Sequence, residues 1–351
     1  MINSKIYFIG QKKSYLKLEK RLINNHDIIF IDFSSLPNNS EKYLMDLLSK
    51  DDYLFLLDKH EELNNMCLIN SKWFDASDFL ETDFYNPIQN SYKGKFNTVL
   101  MGMSHSQCGV DENVLGEGNV LKMSSPSIDI YLQYHILKKA VNNGEFNNED
   151  IRAIIIEMPY YYFNYDLSKF KDFLNTKLCY YKLINDFSKI GYNSKKIASY
   201  CAFSDLFRYD DIPKSNNNYK DNRLMIKKIY SSIIKPIANK DLIWSKEYKS
   251  TIEENTKLFD EYITYIKSNF LNTEIVLLIM PMNPFFYKSH KDLVNEARKV
   301  FYNVIKRYDF KIIDDFFLYD NPFLFLDHCH LSSEGAYRYS LHLKNRLEEL
   351  L

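Results

Sequence analysis

Two short stretches near opposite ends of one long segment concentrate the residue types that perform chemistry. The first, "GMSHSQCG" at 102 to 109, directly follows an apolar run and holds Ser104, His105, Ser106 and Cys108. The second, "FLDHCHLSSEGA" at 325 to 336, sets Asp327, His328, Cys329 and His330 in consecutive positions ahead of the last helical pattern. A serine becomes a useful nucleophile when a histidine takes its proton, a carboxylate orients that histidine, and backbone N–H groups receive the oxyanion. Asp327 and His330, three residues apart in a turn, can point into one crevice, and Ser104, on a strand-to-helix turn after a glycine, can present its hydroxyl to it.

Other chemistries use the same residues. A metal reading takes His105, Asp327, His328 and His330, all zinc ligand types. The single residue between His328 and His330, and the lack of a partner on a separate strand, make it the weaker reading, so no metal and no cofactor are expected. Ser106 is the rival nucleophile, with capping of the following helix as its plain role. His328 is expected at the substrate rim and Cys329 on the far side of the turn. Cys108 has no neighbouring block to lower its thiol pKa and reads as a small packed residue. Taken alone, a histidine in a turn before a helix is commonly a cap or surface residue; both blocks in order on one α/β segment favour catalysis.

The elements that must position these groups are strands alternating with helices. "KIYFIG", "DIIFIDF" and "DYLFLL", with amphipathic stretches between them, make a small Rossmann-like β-α-β-α-β unit over residues 1 to 85. It has no GxGxxG, so dinucleotide binding is not expected. After an aromatic, irregular segment from 73 to 95, a second domain over 86 to 351 has buried parallel strands at "FNTVLMG", "NVLKM", "RAIIIEM", "EIVLLIM" and "FKIIDDF". Ser127 is expected to cap the helix after "NVLKM". Thr251 and Glu254 have capping-box spacing. A terminal helix from Gly335 to Leu351 carries Ala336, Tyr339, Leu343, Leu347 and Leu350 on one stripe. Residues 215 to 250, rich in Asn, Lys and Tyr, read as an insertion. Glu157 lies inside an apolar strand pattern, as a pocket carboxylate or an edge charge, and the run "PYYYFNY" after it could stack on sugar faces.

Composition narrows the partners. The chain of 351 residues is 46% hydrophobic and 26% charged, with 28 Tyr and 25 Phe, which is a globular balance able to bury a large core. Its 45 basic and 46 acidic residues are interspersed, and the net charge of −1 disfavours nucleic acid and anionic membrane surfaces. No run approaches transmembrane length, and the apolar start is too short for a signal-peptide core. Five scattered cysteines without a CxxC pair argue against a disulfide framework and fit a reducing cytoplasm. No P-loop or glycine-rich phosphate cradle occurs, which disfavours phosphoryl transfer. The oligomeric state is not legible.

The blocks "VLMGMSHS" and "FLDHCHLSSEGA" resemble the nucleophile block and the closing DxxHL block of the SGNH (GDSL-like) hydrolases, over residues 90 to 351. The resemblance implies a three-layer α/β/α flavodoxin-like catalytic domain, with Ser104 as nucleophile, His330 as general base and Asp327 as its orienting partner. It departs from the family in three places. Met103 stands where the family has aspartate, "LKMSSPS" lacks the second-block glycine, and no GxND asparagine occurs, leaving Asn164 as the nearby one. By the resemblance, Ser124 or Ser125 would supply an oxyanion N–H, with Asn164, His105 and His328 completing oxyanion and substrate contacts. The implied substrate is a small-molecule or glycan acyl ester, handled by a serine esterase through an acyl-enzyme. The alternatives are an O-acyltransferase acting on a surface-polysaccharide sugar and a catalytically silent glycan- or partner-binding module.

Overall fold

The strands are near-continuous apolar runs because helices cover both faces of each sheet, the pattern of buried parallel strands. The structure, a computed structural model, describes residues 5–19, 21–22, 27–69, 72–79, 96–116, 119–144, 147–169, 174–191, 194–207 and 249–351. The chain divides into two compact units, Met1–Asn86 with Lys171–Asp210, and Pro87–Phe170 with Asp211–Leu351.

The first unit contains β1 (Ile6–Gly10), α1 (Lys12–Glu19), β2 (Ile28–Asp32), α2 (Ser40–Leu47), β3 (Tyr53–Leu56), α3 (Glu61–Ile69) and β4 (Trp73–Asp75). Its strands form a parallel sheet in the order β2-β1-β3-β4. The fourth strand, Trp73–Asp75, lies in the stretch that reads as irregular in sequence; three residues are too few for a period to register. The later helices α7 (Leu174–Ile184) and α8 (Ser194–Ser204) also belong to this unit. Phe203 of α8 lies 6.5 Å from Phe8 and 5.8 Å from Phe55, ring to ring, in the core of the small sheet.

The second unit contains β5 (Thr98–Met101), α4 (Ser104–Gly109), α5 (Glu112–Gly116), β6 (Val120–Lys122), α6 (Ile130–Asn142), β7 (Ala153–Glu157), α9 (Lys249–Asn269), β8 (Glu274–Ile279), α10 (Pro284–Ser289), α11 (Lys291–Ile305), β9 (Lys311–Asp314) and α12 (Ser333–Leu350). All five strands are parallel, in the order β6-β5-β7-β8-β9. Counted within the unit this is the order 2-1-3-4-5 of flavodoxin-like sheets. On one face Leu100, Ile155, Val276, Leu278 and Ile313 pack with Val110 after α4 and with Ala336, Tyr339, Leu343 and Leu347 of α12. Alternation turns Val99, Ile154, Ile156, Leu277 and Ile279 to the other face. There α6 and α9 meet through Tyr134 and Tyr262, with ring centroids 5.7 Å apart, and Phe163 touches both Phe259 of α9 and Phe301 of α11. The unit is thus a three-layer α/β/α fold, as expected. Among the described residues no helix is long and apolar enough to cross a membrane.

Local expectations fare unevenly. Asp129, not Ser127, caps α6: its carboxylate accepts the Leu132 N–H at 2.8 Å, while Ser127 sits in the left-handed region with φ of 58°. Thr251 and Glu254 form no capping box, because both lie inside α9 and hold the Lys169 ammonium at 2.7 and 2.8 Å. The last helix begins at Ser333, capped by Ser332, whose hydroxyl accepts the Gly335 N–H. A Cβ on Gly335 would stand 2.1 Å from the Leu324 carbonyl oxygen, so only glycine lets this helix approach the preceding loop. Of the expected insertion, 215 to 248 lie outside the described residues.

Candidate active site

In a parallel α/β sheet the loops leaving the carboxyl ends of the strands gather at one edge. Three of them build this site: the turn from β5 into α4, the end of β7, and the loop between β9 and α12. Ser104 is the first residue of α4 and His330 lies three residues before α12.

The β9–α12 loop is shaped by Asp327. One carboxylate oxygen accepts the N–H groups of Cys329 and His330 at 2.8 and 2.7 Å, closing a tight turn, and the other accepts from His330 Nδ1 at 2.7 Å. Asn283, which caps α10, donates its side-chain amide to the Asp327 carbonyl at 3.0 Å and its backbone N–H to the His328 carbonyl at 3.1 Å. With Nδ1–H committed to Asp327, the His330 ring offers the Nε2 lone pair, which lies 2.8 Å from Ser104 Oγ. The three groups make an unbroken line of hydrogen bonds between residues 226 apart in sequence. The Asp327 carboxyl lies well below the usual carboxylate range. Burial pushes it up, but the charge and hydrogen bond of His330, the charge of His328 and the Cys329 N–H outweigh that.

The serine turn rests on Glu157, which the sequence left between a pocket role and an edge charge. It is the last residue of the central strand β7 and is completely buried. Register puts its side chain on the same face as Leu278 and Ile313, the side on which α4 packs. One carboxylate oxygen accepts the Met103 N–H at 2.6 Å and the Ser106 hydroxyl at 3.2 Å; the other lies 3.2 Å from His105 Nδ1. Three of the residues around Ser104 are therefore tied to a single carboxylate. Gly102 makes room for it, since a Cβ there would stand 2.7 Å from Glu157 Oε2 and 2.1 Å from Ser106 Oγ. At the far end of α4, Lys122 donates to the carbonyls of Gln107 and Val110 at 3.2 and 2.9 Å, where a cation suits the helix dipole.

Ser106 is fully buried beneath the turn, with its hydroxyl 2.8 Å from Ser124 Oγ, so it braces the loop instead of facing a substrate. Ser125 leaves the expected oxyanion set, because its N–H already donates to the Gly102 carbonyl at 3.0 Å. Ser124 is buried with its hydroxyl against Ser106. Asn164 lies, buried, in the 3-10 turn Tyr162–Asn164 after β7. His105 stands over the site, its ring 5.4 Å from that of His330. His328 is buried against Phe286, 5.2 Å between rings, and so is packed where a rim position was expected. Cys329 is buried, but its sulfur lies 3.6 Å from His330 Nδ1, on the near side of the turn and not the far side. Beside these groups a cavity of about 10 Å³ is lined by His105, Glu157, Tyr160, Met280, Phe316 and Cys329, among others.

No family model matches the sequence, and no curated protein matches it significantly. Among solved structures, the chain is similar to one provisionally described as a platelet activating factor from Streptococcus pneumonia, with 12% identity over 74% of this chain and 87% of that one and a TM-score of 0.38. It is also similar to the lipase Lip_vut3 from a goat rumen metagenome, with 13% identity over 71% of this chain and 97% of that one and a TM-score of 0.36. Likenesses of this strength carry no conclusion about activity, which rests on the residues themselves.

Proposed function

We propose that the second unit is a serine ester hydrolase of the SGNH kind, acting on an O-acylated small molecule or carbohydrate. The observation that carries this reading is the hydrogen-bonded line from Asp327 through His330 to Ser104 at the carboxyl edge of the sheet. Ser104 Oγ attacks the ester carbonyl carbon as its proton passes to His330 Nε2, and the carbonyl π pair moves onto oxygen. Asp327 holds the imidazolium. The Ser104 N–H, at the first position of a helix and so without an acceptor inside it, receives the oxyanion, with the Ser124 N–H as the second donor in this proposal. Collapse breaks the bond to the alcohol oxygen, which takes the proton from His330. Water, deprotonated by the same nitrogen, then releases the acid and restores Ser104. No cofactor enters these steps.

The same acyl-enzyme could pass its acyl group to a sugar hydroxyl instead of water, which makes this chain an O-acyltransferase in the second reading; the shared machinery favours neither acceptor. The test of the first step is a fluorophosphonate probe read by intact mass and peptide mapping. One adduct, on Ser104, is expected. An unlabelled protein, or an adduct on Ser106, overturns the proposal, and the unlabelled outcome shifts the weight to a silent binding module.

We take the small cavity lined by His105 and Cys329, the chain neighbours of Ser104 and His330, as the acyl pocket; its room for about one water-sized group favours a short acyl chain. p-Nitrophenyl acetate is expected to be cleaved with a kcat/KM at least about 100-fold above that of the octanoate, because each added methylene meets Tyr160, Met280 and Phe316. Equal rates across the series would show that the acyl chain lies elsewhere.

A further inference from the structure

We infer that His105, Cys329 and His330 form a binding site for a thiophilic divalent cation, zinc above all, whose occupancy silences Ser104. One ligand atom from each of the three residues lies within 4.8 Å of the others. A tetrahedral zinc site, with bonds of about 2.0–2.1 Å to nitrogen and about 2.3 Å to sulfur, holds its ligand atoms roughly 3.5 Å apart, so side-chain rotations of about an ångström close it.

The feature that singles out this cluster is that both imidazoles are prepared in the same way. Metal-binding histidines almost always give their other ring N–H to a carboxylate, a backbone carbonyl or water, and a carboxylate there fixes the tautomer and raises the basicity of the coordinating nitrogen. His105 gives Nδ1 to Glu157 at 3.2 Å and His330 gives Nδ1 to Asp327 at 2.7 Å. Each ring is left with the Nε2 lone pair to offer, that of His330 resting 2.8 Å from Ser104 Oγ, and the ring centroids are 5.4 Å apart. Ester hydrolysis uses only one of these two pairs. Cys329 adds the soft ligand that distinguishes zinc from magnesium or calcium. The overlapping trio Asp327, His328 and Cys329 is less suited, because the Asp327 carboxylate already accepts from two backbone N–H groups and an imidazole.

Binding balances simply. Cys329 loses its thiol proton to solvent, both imidazoles keep Nδ1–H, and Ser104 keeps its hydroxyl proton. The His330 lone pair that accepts from Ser104 is now donated to the metal, so the nucleophile has no base. A fourth position remains for water, as in open zinc sites.

The site itself is read without turnover, by cobalt; its silencing of Ser104 rests on the esterase reading. Cobalt added to the metal-free chain should develop a thiolate-to-metal charge-transfer band that zinc displaces and that Cys329→Ser abolishes. Zinc at low micromolar concentration should stop p-nitrophenyl acetate hydrolysis, and EDTA should restore it. Relative to its own metal-free rate of ester hydrolysis, Cys329→Ser should need at least about tenfold more zinc for half-inhibition. Glu157→Gln should also weaken metal binding by about 10- to 100-fold, because an amide turned toward His105 protonates Nε2 instead of Nδ1. A wild type without the band, or a band that persists in Cys329→Ser, overturns the site. A band in a protein whose metal-free form neither hydrolyses the ester nor takes the fluorophosphonate overturns the esterase reading and leaves the metal site standing.

Discussion

Replacing Asp327 with asparagine is expected to lower kcat for p-nitrophenyl acetate by about 10⁴-fold with little change in KM. The carboxylate oxygen that accepts from His330 Nδ1 becomes either an amide N–H or an amide carbonyl. If the amide N–H faces the ring, His330 must accept at Nδ1 and carry its proton on Nε2, where it can no longer take the proton of Ser104. If the carbonyl faces the ring, the tautomer survives, but the amide N–H then opposes the Cys329 and His330 N–H groups that now share one oxygen. The second arrangement places donors against donors in a tight turn, so the first prevails. Loss of charge also removes what stabilises the imidazolium. The same change has a pH signature in stability. The folded carboxyl of Asp327 lies below its unfolded value, so the stability it contributes is fully present above about pH 4, the ordinary range for a free aspartate, and is lost as pH falls toward the folded value. Wild type should therefore melt above Asp327→Asn at neutral pH, with a gap that holds to mildly acid solution and narrows only below it. Calorimetry across pH checks the sign; a gap that widens in acid would show that Asp327 is not held ionised by its neighbours.

What the sequence discloses and what it hides follow from the range of the interactions involved. The three inner strands of the second sheet are legible because burial on both faces writes each as a nearly unbroken apolar run, "AIIIE" being the plainest, while the edge strands carry Lys122, Lys311 and Asp314 among their apolar residues. The loops of Ser104 and His330 stand out because reactive residue types cluster just past such runs. Residues 174 to 204 give no such signal: their helical pattern is the same whichever sheet they pack on, and only the meeting of Phe203 with Phe8 and Phe55 decides it. The oxyanion expectation for Ser125 fails for a related reason, since whether a backbone N–H is spent depends on the carbonyl it reaches, here that of Gly102. Ser127 and Asp129 are both good caps by type, and the chain's left-handed turn at Ser127 leaves the role to Asp129. Glu157 is the instructive case. A carboxylate inside an apolar strand pattern reads equally as a pocket group or an edge charge, and only the fold reveals that the strand is central and that the neighbouring loop supplies three donors.

Glu157→Ala is expected to lower kcat by about 100-fold or more and to cost several kcal/mol of stability, whereas Glu157→Gln should keep most of the fold and a substantial part of the rate. The alanine leaves the Met103 N–H without its acceptor at the position preceding Ser104, and an orphaned buried donor costs about 1–3 kcal/mol before the cavity is counted. With Met103 and Ser106 both released, the α4 start can shift, and a displacement of about 1 Å at a nucleophile costs on the order of 100-fold. Glutamine has a better choice. Its carbonyl can stay opposite the Met103 N–H and the Ser106 hydroxyl, because its NH₂ can turn to His105, whose ring accepts by changing tautomer. The Ser104 turn then keeps its anchor while His105 exchanges its lone pair for an N–H. A purely structural role for Glu157 would make rate follow stability in both variants. Positioning instead predicts that the rate of fluorophosphonate labelling falls with kcat in the alanine variant even well below its melting temperature, with KM nearly unchanged. The glutamine variant should recover that labelling rate, and the His105 ring nitrogens in ¹⁵N NMR should report the altered tautomer. If glutamine is as slow as alanine at equal foldedness, the negative charge itself, and not the anchoring of Met103, is what the site requires.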